Sequence, residues 1–318
     1  MFCLRVTYLY NTLFLLHIMT LLRQVVTAIL LLACAPAARA QSGKRPELLA
    51  HIQRIIDTSG ARVGLGLLGL DFRDSLLIRG QDHFPMQSVY KFPLAIAILK
   101  QVDDGRLLLH KNYDIDRAKL DPHTWSPLLK DYPSGNIRIS LENLLRYTVS
   151  KSDNNTCDIL FGLAGGTRKV QQYLRALGIR DMDIAATEAE MKKAWQVQYT
   201  NRCSPAAMLH LLRLFYEGQL LSPAGSRLLM AMMTETENSP KRIRGLLPQE
   251  AQLAHKTGTS NTNNAGLTAA INDVGILTLP DGRHLAIVVY VTDYRGGVSK
   301  GEHLIATICR EIWLAYNP

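Results

Sequence analysis

The chain has 318 residues, 47% of them hydrophobic and 20% charged, with a formal net charge of +9. That composition is ordinary for a soluble globular protein, and the length suits one large domain or two closely packed ones. The positive charge is diffuse, with no arginine-rich helix, zinc-finger spacing or aromatic-interleaved basic patch, so nucleic acid is not an expected partner.

Residues 19–40 read as an export signal. Met19 and Arg23 give a short basic start, Val25 to Ala35 is apolar but short for a membrane span, and Ala38-Arg39-Ala40 is an A-x-A cleavage site. Met19 then serves as the start, residues 1–18 are an upstream extension, and cleavage after Ala40 leaves 41–318 in the periplasm. The second reading is Leu31-Leu32-Ala33-Cys34 as a lipoprotein box, with Cys34 carrying lipid. Plain cleavage is preferred because polar sequence follows the A-x-A site directly, and it implies no stable membrane insertion. Cys157, Cys203 and Cys309 remain in the mature chain. Cys157 and Cys309 lie in apolar helical runs and read as buried thiols, and no Cys/His cluster has metal-ligand spacing.

Pro46 to Ile56 reads as an amphipathic helix with Leu48, Leu49, Ile52, Ile55 and Ile56 on one stripe. Arg62 to Leu70 and Ser75 to Ile78 read as a hairpin around the polar turn Asp71 to Asp74. An apolar helix follows Ser88 and ends near Asp103-Asp104-Gly105. Asp114 to Lys119 reads as a connector. Ser140 caps a helix through Leu144, and helices over 156–164 and 167–177 stop at Gly165-Gly166 and Gly178. Asp181 to Tyr199 reads as a long ordered loop anchored by Met182, Ile184, Met191 and Trp195. Two helices, 204–216 and 222–233, each start with a serine cap and a proline. Three strands (251–259, 266–279 and 283–292) and a helix over 301–313 close the chain. The fold class expected is mixed α/β (α+β). A five-stranded antiparallel sheet from both chain ends (41–82 and 241–318) is flanked by helices, and an all-helical domain (83–240) is inserted.

The chemistry centres on Ser88-Val89-Tyr90-Lys91. A serine hydroxyl is a poor nucleophile unless a base takes its proton, and at i, i+3 on a helix the lysine shares its face. Ser-x-x-Lys alone is more often an N-terminal serine with a surface lysine. Three further segments change that weighting: Ser152-Asp153-Asn154, Lys256-Thr257-Gly258-Thr259, and Glu188 inside the long loop. Each alone would be a turn, a strand end or a surface carboxylate.

Together, and in this order, they match the signature of serine penicillin-recognising enzymes. The chain resembles a class A beta-lactamase over essentially its whole length after the signal. Phe84-Pro85-Met86-Gln87-Ser88, Thr187 to Met191, and Asn264 to Ile271 with Asn272-Asp273 make it most similar to the extended-spectrum subgroup with longer connecting segments.

The resemblance implies hydrolysis of penicillins and cephalosporins through an acyl-enzyme on Ser88. Lys91 lies beside the nucleophile, and Ser152 passes a proton to the leaving lactam nitrogen. Glu188 activates the deacylating water. Either Lys91 or Glu188 takes the serine proton. The backbone N–H groups of Ser88 and Thr259 form the oxyanion hole. Asn154 holds the substrate amide, while Lys256, Thr257 and Thr259 attract its carboxylate. Trp125 sits at the pocket mouth. The resemblance implies no cofactor, no metal, a small-molecule beta-lactam partner and a monomer.

Three departures stand out. Lys192 occupies the position, four after Glu188, where the family usually has a water-holding asparagine. No arginine follows the Lys-Thr-Gly strand, so Arg242 matches the position that supplies the missing charge to the substrate carboxylate. Position 95, where common members have a disulfide cysteine, is alanine. Thr259 and the altered loop point to oxyimino-cephalosporins among the substrates. A penicillin-sensitive transpeptidase shares Ser88, Lys91, Ser152, Asn154 and Lys256, and Glu188 is the residue that separates the two readings.

Overall fold

The computed structural model describes residues 46–317. The start at Met19, the cleavage after Ala40 and the fate of Cys34 lie outside the described residues.

The first helix, α1, covers residues 46–59 and buries Ile52 and Ile56. Strands β1 (Arg62–Gly69) and β2 (Ser75–Ile78) pair antiparallel as the predicted hairpin. A two-residue strand, β3 (Phe84–Pro85), leads into a 3-10 turn over Gln87–Tyr90, and α2 (Lys91–Asp103) continues from it. Next come β4 (Asn112–Ile115), α3 (Pro127–Asp131), β5 (Ile137–Ser140), α4 (Leu141–Val149), α5 (Asn154–Ala164) and α6 (Thr167–Ala176). The long loop holds β6 (Met182–Asp183), α7 (Glu188–Met191) and a 3-10 turn over Trp195–Tyr199. It is followed by β7 (Arg202–Cys203), α8 (Pro205–Tyr216) and α9 (Pro223–Thr234). Strands β8 (Gln252–Thr259), β9 (Thr268–Thr278) and β10 (His284–Tyr294), then α10 (Val298–Tyr316), end the chain.

The main sheet has the order β2-β1-β10-β9-β8, antiparallel throughout. Gly64 and Gly66 of β1 pair with Tyr290 and Val288 of β10, so these positions share one face. A Cβ at Gly66 would meet Leu209 of α8, and one at Gly64 would strike the Phe84 ring. The next register, Val63 with Val291 and Ile271, faces the other way, where Ile271 touches Gly301 of α10. Helices therefore cover both faces, which is why β9 and β10 are buried along nearly their whole length.

Between the first face and α8 and α9 lies the largest core, and α2 runs through it. Every residue from Lys91 to Leu99 is buried. A helix so enclosed places whatever follows Ser88 inside the protein, including a lysine.

The middle of the chain is not wholly helical, contrary to expectation. β4 and β5 form a two-stranded ribbon, and β3, β7 and β6 form a small sheet. The expected connector at 114–119 is half strand and half 3-10 turn, capped by Asp116 onto the Ala118 N–H. Strands of two to four residues are too short for a period to show in sequence. Cys157, Cys203 and Cys309 are buried free thiols. Among the described residues no helix is long and apolar enough to cross a membrane.

Candidate active site

Ser88 occupies the second position of the 3-10 turn and Lys91 begins α2. Residues three apart eclipse in a 3-10 geometry, so the turn aligns both side chains more closely than an α-helix would. The residue before the serine, Gln87, has φ +48. Its Nε2 donates to Gln198 Oε1 at 2.6 Å, tying this strained position to the long loop.

Lys91 is fully buried, and its ammonium meets three acceptors. Nζ lies 2.8 Å from Ser152 O, 2.5 Å from Asn154 Oδ1 and 3.0 Å from Glu188 Oε1. An ammonium has three protons to donate, and three oxygens from two separate segments, 152–154 and Glu188, surround it. The contact with Glu188 is an ion pair rather than an aligned hydrogen bond, since buried Oε1 has no donor in line.

The Ser152-Asp153-Asn154 triplet divides its work by residue. Asp153 is the N-cap of α5, accepting from Thr156 N at 2.9 Å. Its other oxygen accepts from Ser126 Oγ at 2.7 Å and Leu128 N at 2.8 Å. The bland reading of the triplet as a cap is therefore true of Asp153. Its neighbours are freed for the cavity: Ser152 sits at φ +57, and Asn154 Nδ2 donates to Thr124 Oγ1 at 2.8 Å.

From the sheet side, alternation along β8 puts Lys256 on the face shared with Val274 and Val288. Its buried Nζ donates to Ser152 Oγ at 2.9 Å and Thr257 O at 3.1 Å. Burial, then repulsion from Lys91 and Arg242 against attraction from Asp273, holds its pKa well below the usual lysine range. Gly258 comes so close to the nucleophile turn that an added Cβ would lie 2.4 Å from Met86 O and 3.1 Å from Ser88 N. The strand end carrying Thr259 thus runs directly beside the Ser88 amide.

Glu188 opens α7. Thr187 and Glu190 form a reciprocal capping box, and the Glu188 and Ala189 N–H groups donate to the two oxygens of Asp158 at 2.8 and 2.9 Å. Burial is the main cause that raises the Asp158 pKa to about 6, opposed by those two bonds. The phenol of Tyr90, fully buried, is pushed well above its usual range by burial and by the nearby Cys157 and Glu188.

These groups line one cavity of about 800 Å³, with Ser88, Ser152, Asn154, Glu188, Thr257 and Thr259 on its wall. Trp125 stands half-exposed at its edge, its Nε1 donating to Lys151 O at 3.0 Å. Lys91 and Lys256 lie directly behind the wall. Arg242 does not reach the cavity, against its expected role as a direct substrate contact. It is 1% exposed and donates to Gly258 O at 3.0 Å, Asn272 O at 2.8 Å and Thr259 Oγ1 at 2.5 Å, with Glu302 Oε1 at 3.3 Å. Its charge meets the cavity only through the Thr259 hydroxyl.

Sequence reasoning passed over Trp195, Gln87 and Gln198, which also line the cavity, and over Asp158. Asp158 was findable: it lies four residues after Asn154, on the same face of α5. Trp195, expected as a loop anchor, is partly buried and also lines the cavity. Among the described residues no group of His, Cys, Asp and Glu is placed to hold a metal.

The model of the beta-lactamase enzyme family matches residues 47–316. Beta-lactamase VEB-1 of Pseudomonas aeruginosa is 40% identical over 271 residues, covering 85% of this chain and 90% of its own. Extended-spectrum beta-lactamase PER-1 of the same organism is 39% identical over 290 residues, covering 91% and 94%. A beta-lactamase crystal structure from Chitinophaga pinensis has 49% identity and a TM-score of 0.83, covering 85% of this chain and 100% of that one. The TLA-1 extended-spectrum beta-lactamase structure has 44% identity and a TM-score of 0.84, covering 86% and 99%. The fold and the family match are those of an enzyme that opens beta-lactam rings. The chain belongs to the beta-lactamase enzyme family, as a class A serine beta-lactamase, and its hydrolysis of the lactam amide confers antibiotic resistance.

Proposed function

We propose that the reaction runs through an ester on Ser88 and that its substrates include oxyimino-cephalosporins besides penicillins. The observation that carries the mechanism is buried Lys91, whose Nζ donates to Ser152 O and Asn154 Oδ1 and is ion-paired with Glu188 Oε1. A nitrogen that donates to two fixed acceptors and faces a carboxylate is poorly placed to receive the serine proton. Glu188, acting through a water, is then the base for acylation, and Lys91 holds that carboxylate ionised beside Ser88. The Ser88 oxygen attacks the lactam carbonyl while its proton passes to Glu188. The negative oxygen is received by the Ser88 and Thr259 N–H groups, which the close approach of Gly258 to the turn supports. The C–N bond breaks, and Ser152 hands a proton to the nitrogen, resupplied from the Lys256 ammonium 2.9 Å away. Glu188 gives up the Ser88 proton to cavity water and Lys256 regains one from it. A water then loses a proton to the freed Glu188 carboxylate, its oxygen cleaves the ester, and Glu188 passes that proton to the departing Ser88 oxygen.

Thr257 and Thr259 bind the substrate carboxylate, Asn154 its side-chain amide, and Trp125 packs against it at the rim. The broad substrate range rests on the roomy cavity, on the Thr259 hydroxyl aligned by Arg242, and on the likeness to relatives named extended-spectrum. The periplasm is the compartment this activity fits.

Intact-protein mass spectrometry of the protein mixed with benzylpenicillin and with cefotaxime tests the reading, beside Glu188→Ala. The parent gives a transient adduct on Ser88 with repeated turnover of both drugs, and the variant turns over neither. A long-lived adduct in the parent would instead indicate a penicillin-binding protein. Turnover of penicillin without cefotaxime would remove the oxyimino-cephalosporins alone.

A further inference from the structure

Lys192 stands where relatives of this class usually have asparagine, and none of the steps above uses it. Its side chain turns along the cavity rim and forms an ion pair with Asp121, 71 residues away in sequence. The two ends of this pair are built very differently.

The Asp121 end is fixed. Its N–H donates to Asn155 Oδ1 at 2.9 Å, and Asn155 Nδ2 returns a bond to Asp121 O at 3.0 Å. His123 N donates to Asp121 Oδ1 at 2.8 Å, shaping the turn that delivers Thr124 and Trp125. Asn154 N donates to Trp125 O at 3.0 Å, so the segment 121–125 is pinned along the first turn of α5. The ion pair with Lys192 also holds the Asp121 carboxyl below its usual range.

The Lys192 end belongs to the segment that carries Glu188. Its upstream half is tied by Asp158 and by Asn201, whose Oδ1 accepts from Ala185 N at 2.7 Å and Ala186 N at 2.9 Å. Downstream of Met191 the segment is exposed, and Lys192 supplies the side-chain bond from residues 192–194 to another part of the protein. Lys192 and Trp125 line the same cavity.

We infer that the Lys192–Asp121 pair is a latch across the cavity rim, and that Lys192 is a positioning residue that steadies Glu188 against the fixed segment 121–125 and so sets the deacylation rate. The kinetic half of this inference rests on Glu188 as the deacylating base, and the structural half does not. With the latch broken, residues 192–194 lose their side-chain tie between Met191 and the Gln198 anchor, so the carboxylate samples positions from which it cannot direct a water at the ester. Acylation, in which Glu188 takes the Ser88 proton, draws on the same carboxylate, so it loosens together with deacylation.

The test uses Lys192→Asp, Asp121→Lys and the charge-swapped double variant, with two readings. Amide hydrogen exchange over 188–194 is faster in each single variant and returns toward the parent in the double. Deacylation, followed as decay of the Ser88 ester, slows by up to about fivefold in each single variant, the most an exposed ion pair supports, and recovers in the double. Acylation, which uses the same carboxylate, slows in the single variants and recovers in the double as well. If a reversed charge prevents folding, Asp121→Asn keeps the shape and gives the same two readings. Parent-like exchange and deacylation in the single variants, or a double no better than the slower single, overturns the latch. Faster exchange with deacylation unchanged overturns the kinetic half. If the parent does not deacylate through Glu188, the exchange data still decide whether the latch exists.

Discussion

Arg242 shows how far a charge in the sequence can be from a charge at a surface. Its position was legible as the source of a cation near the substrate carboxylate, but its direction was not. Four acceptors fix that direction, three of them on β8 and β9 and one on α10, and none is within 15 residues of it in sequence. Its work is to fasten the end of β8 to β9 and to orient the Thr259 hydroxyl. Arg242→Met leaves two buried carbonyls and the Glu302 carboxylate without their donor, so stability in urea unfolding falls by about 3–5 kcal/mol. Arg242→Lys recovers little of it, because a single ammonium cannot span a fork of acceptors. Ser88, Lys91, Ser152, Asn154 and Lys256 were legible for the opposite reason: each sits in a short motif whose spacing is itself the chemistry. Trp195 and Asp158 lie outside such motifs and acquire their place only when α5 and the long loop meet.

Among the elements, β8 links scaffold and chemistry most directly. Its outer end must lie against the turn that carries Ser88, and Gly258 permits the approach. Gly258→Ala places a methyl group 2.4 Å from Met86 O, a backbone atom that cannot swing aside. The strand end moves off, and the Thr259 N–H with it. Acylation of Ser88 then slows by about a hundredfold or more in a stopped-flow assay, the effect of losing one oxyanion donor. The strands and long helices were read correctly to within a few residues because burial on both sheet faces and caps at Ser140, Ser204 and Ser222 leave plain marks. The ribbon of β4 with β5 and the small sheet of β3, β7 and β6 left none. Their pairing is set by the chain on either side of them, not by a pattern of their own.

Across the whole molecule, one partly buried carboxyl makes stability depend on pH in an unusual direction. Asp158 has a pKa of about 6 in the folded protein against an ordinary 3.8. The native state therefore holds this proton more tightly than the unfolded chain does. Its contribution falls as pH rises from about 4 to about 6 and changes no further above that. Thermal melts of the parent and of Asp158→Asn across this range check the sign: the parent loses ground to the variant as pH rises, then runs parallel to it. A constant difference, or one that grows in the parent's favour, would contradict it. The overall architecture was legible because strands at both chain ends enclose a helix-rich middle, an order few folds share. The depth to which that middle buries charge was not, since a lysine in an apolar run looks the same whether it snorkels or is sealed in.

The Lys91 ammonium joins residues 88–91, 152–154 and 188, three stretches that are strangers in sequence. Until all three have docked, a bare cation would sit in a core that cannot tolerate one, so the centre closes as a unit with the helices around it. Displacing any one of the three stretches therefore disturbs the other two.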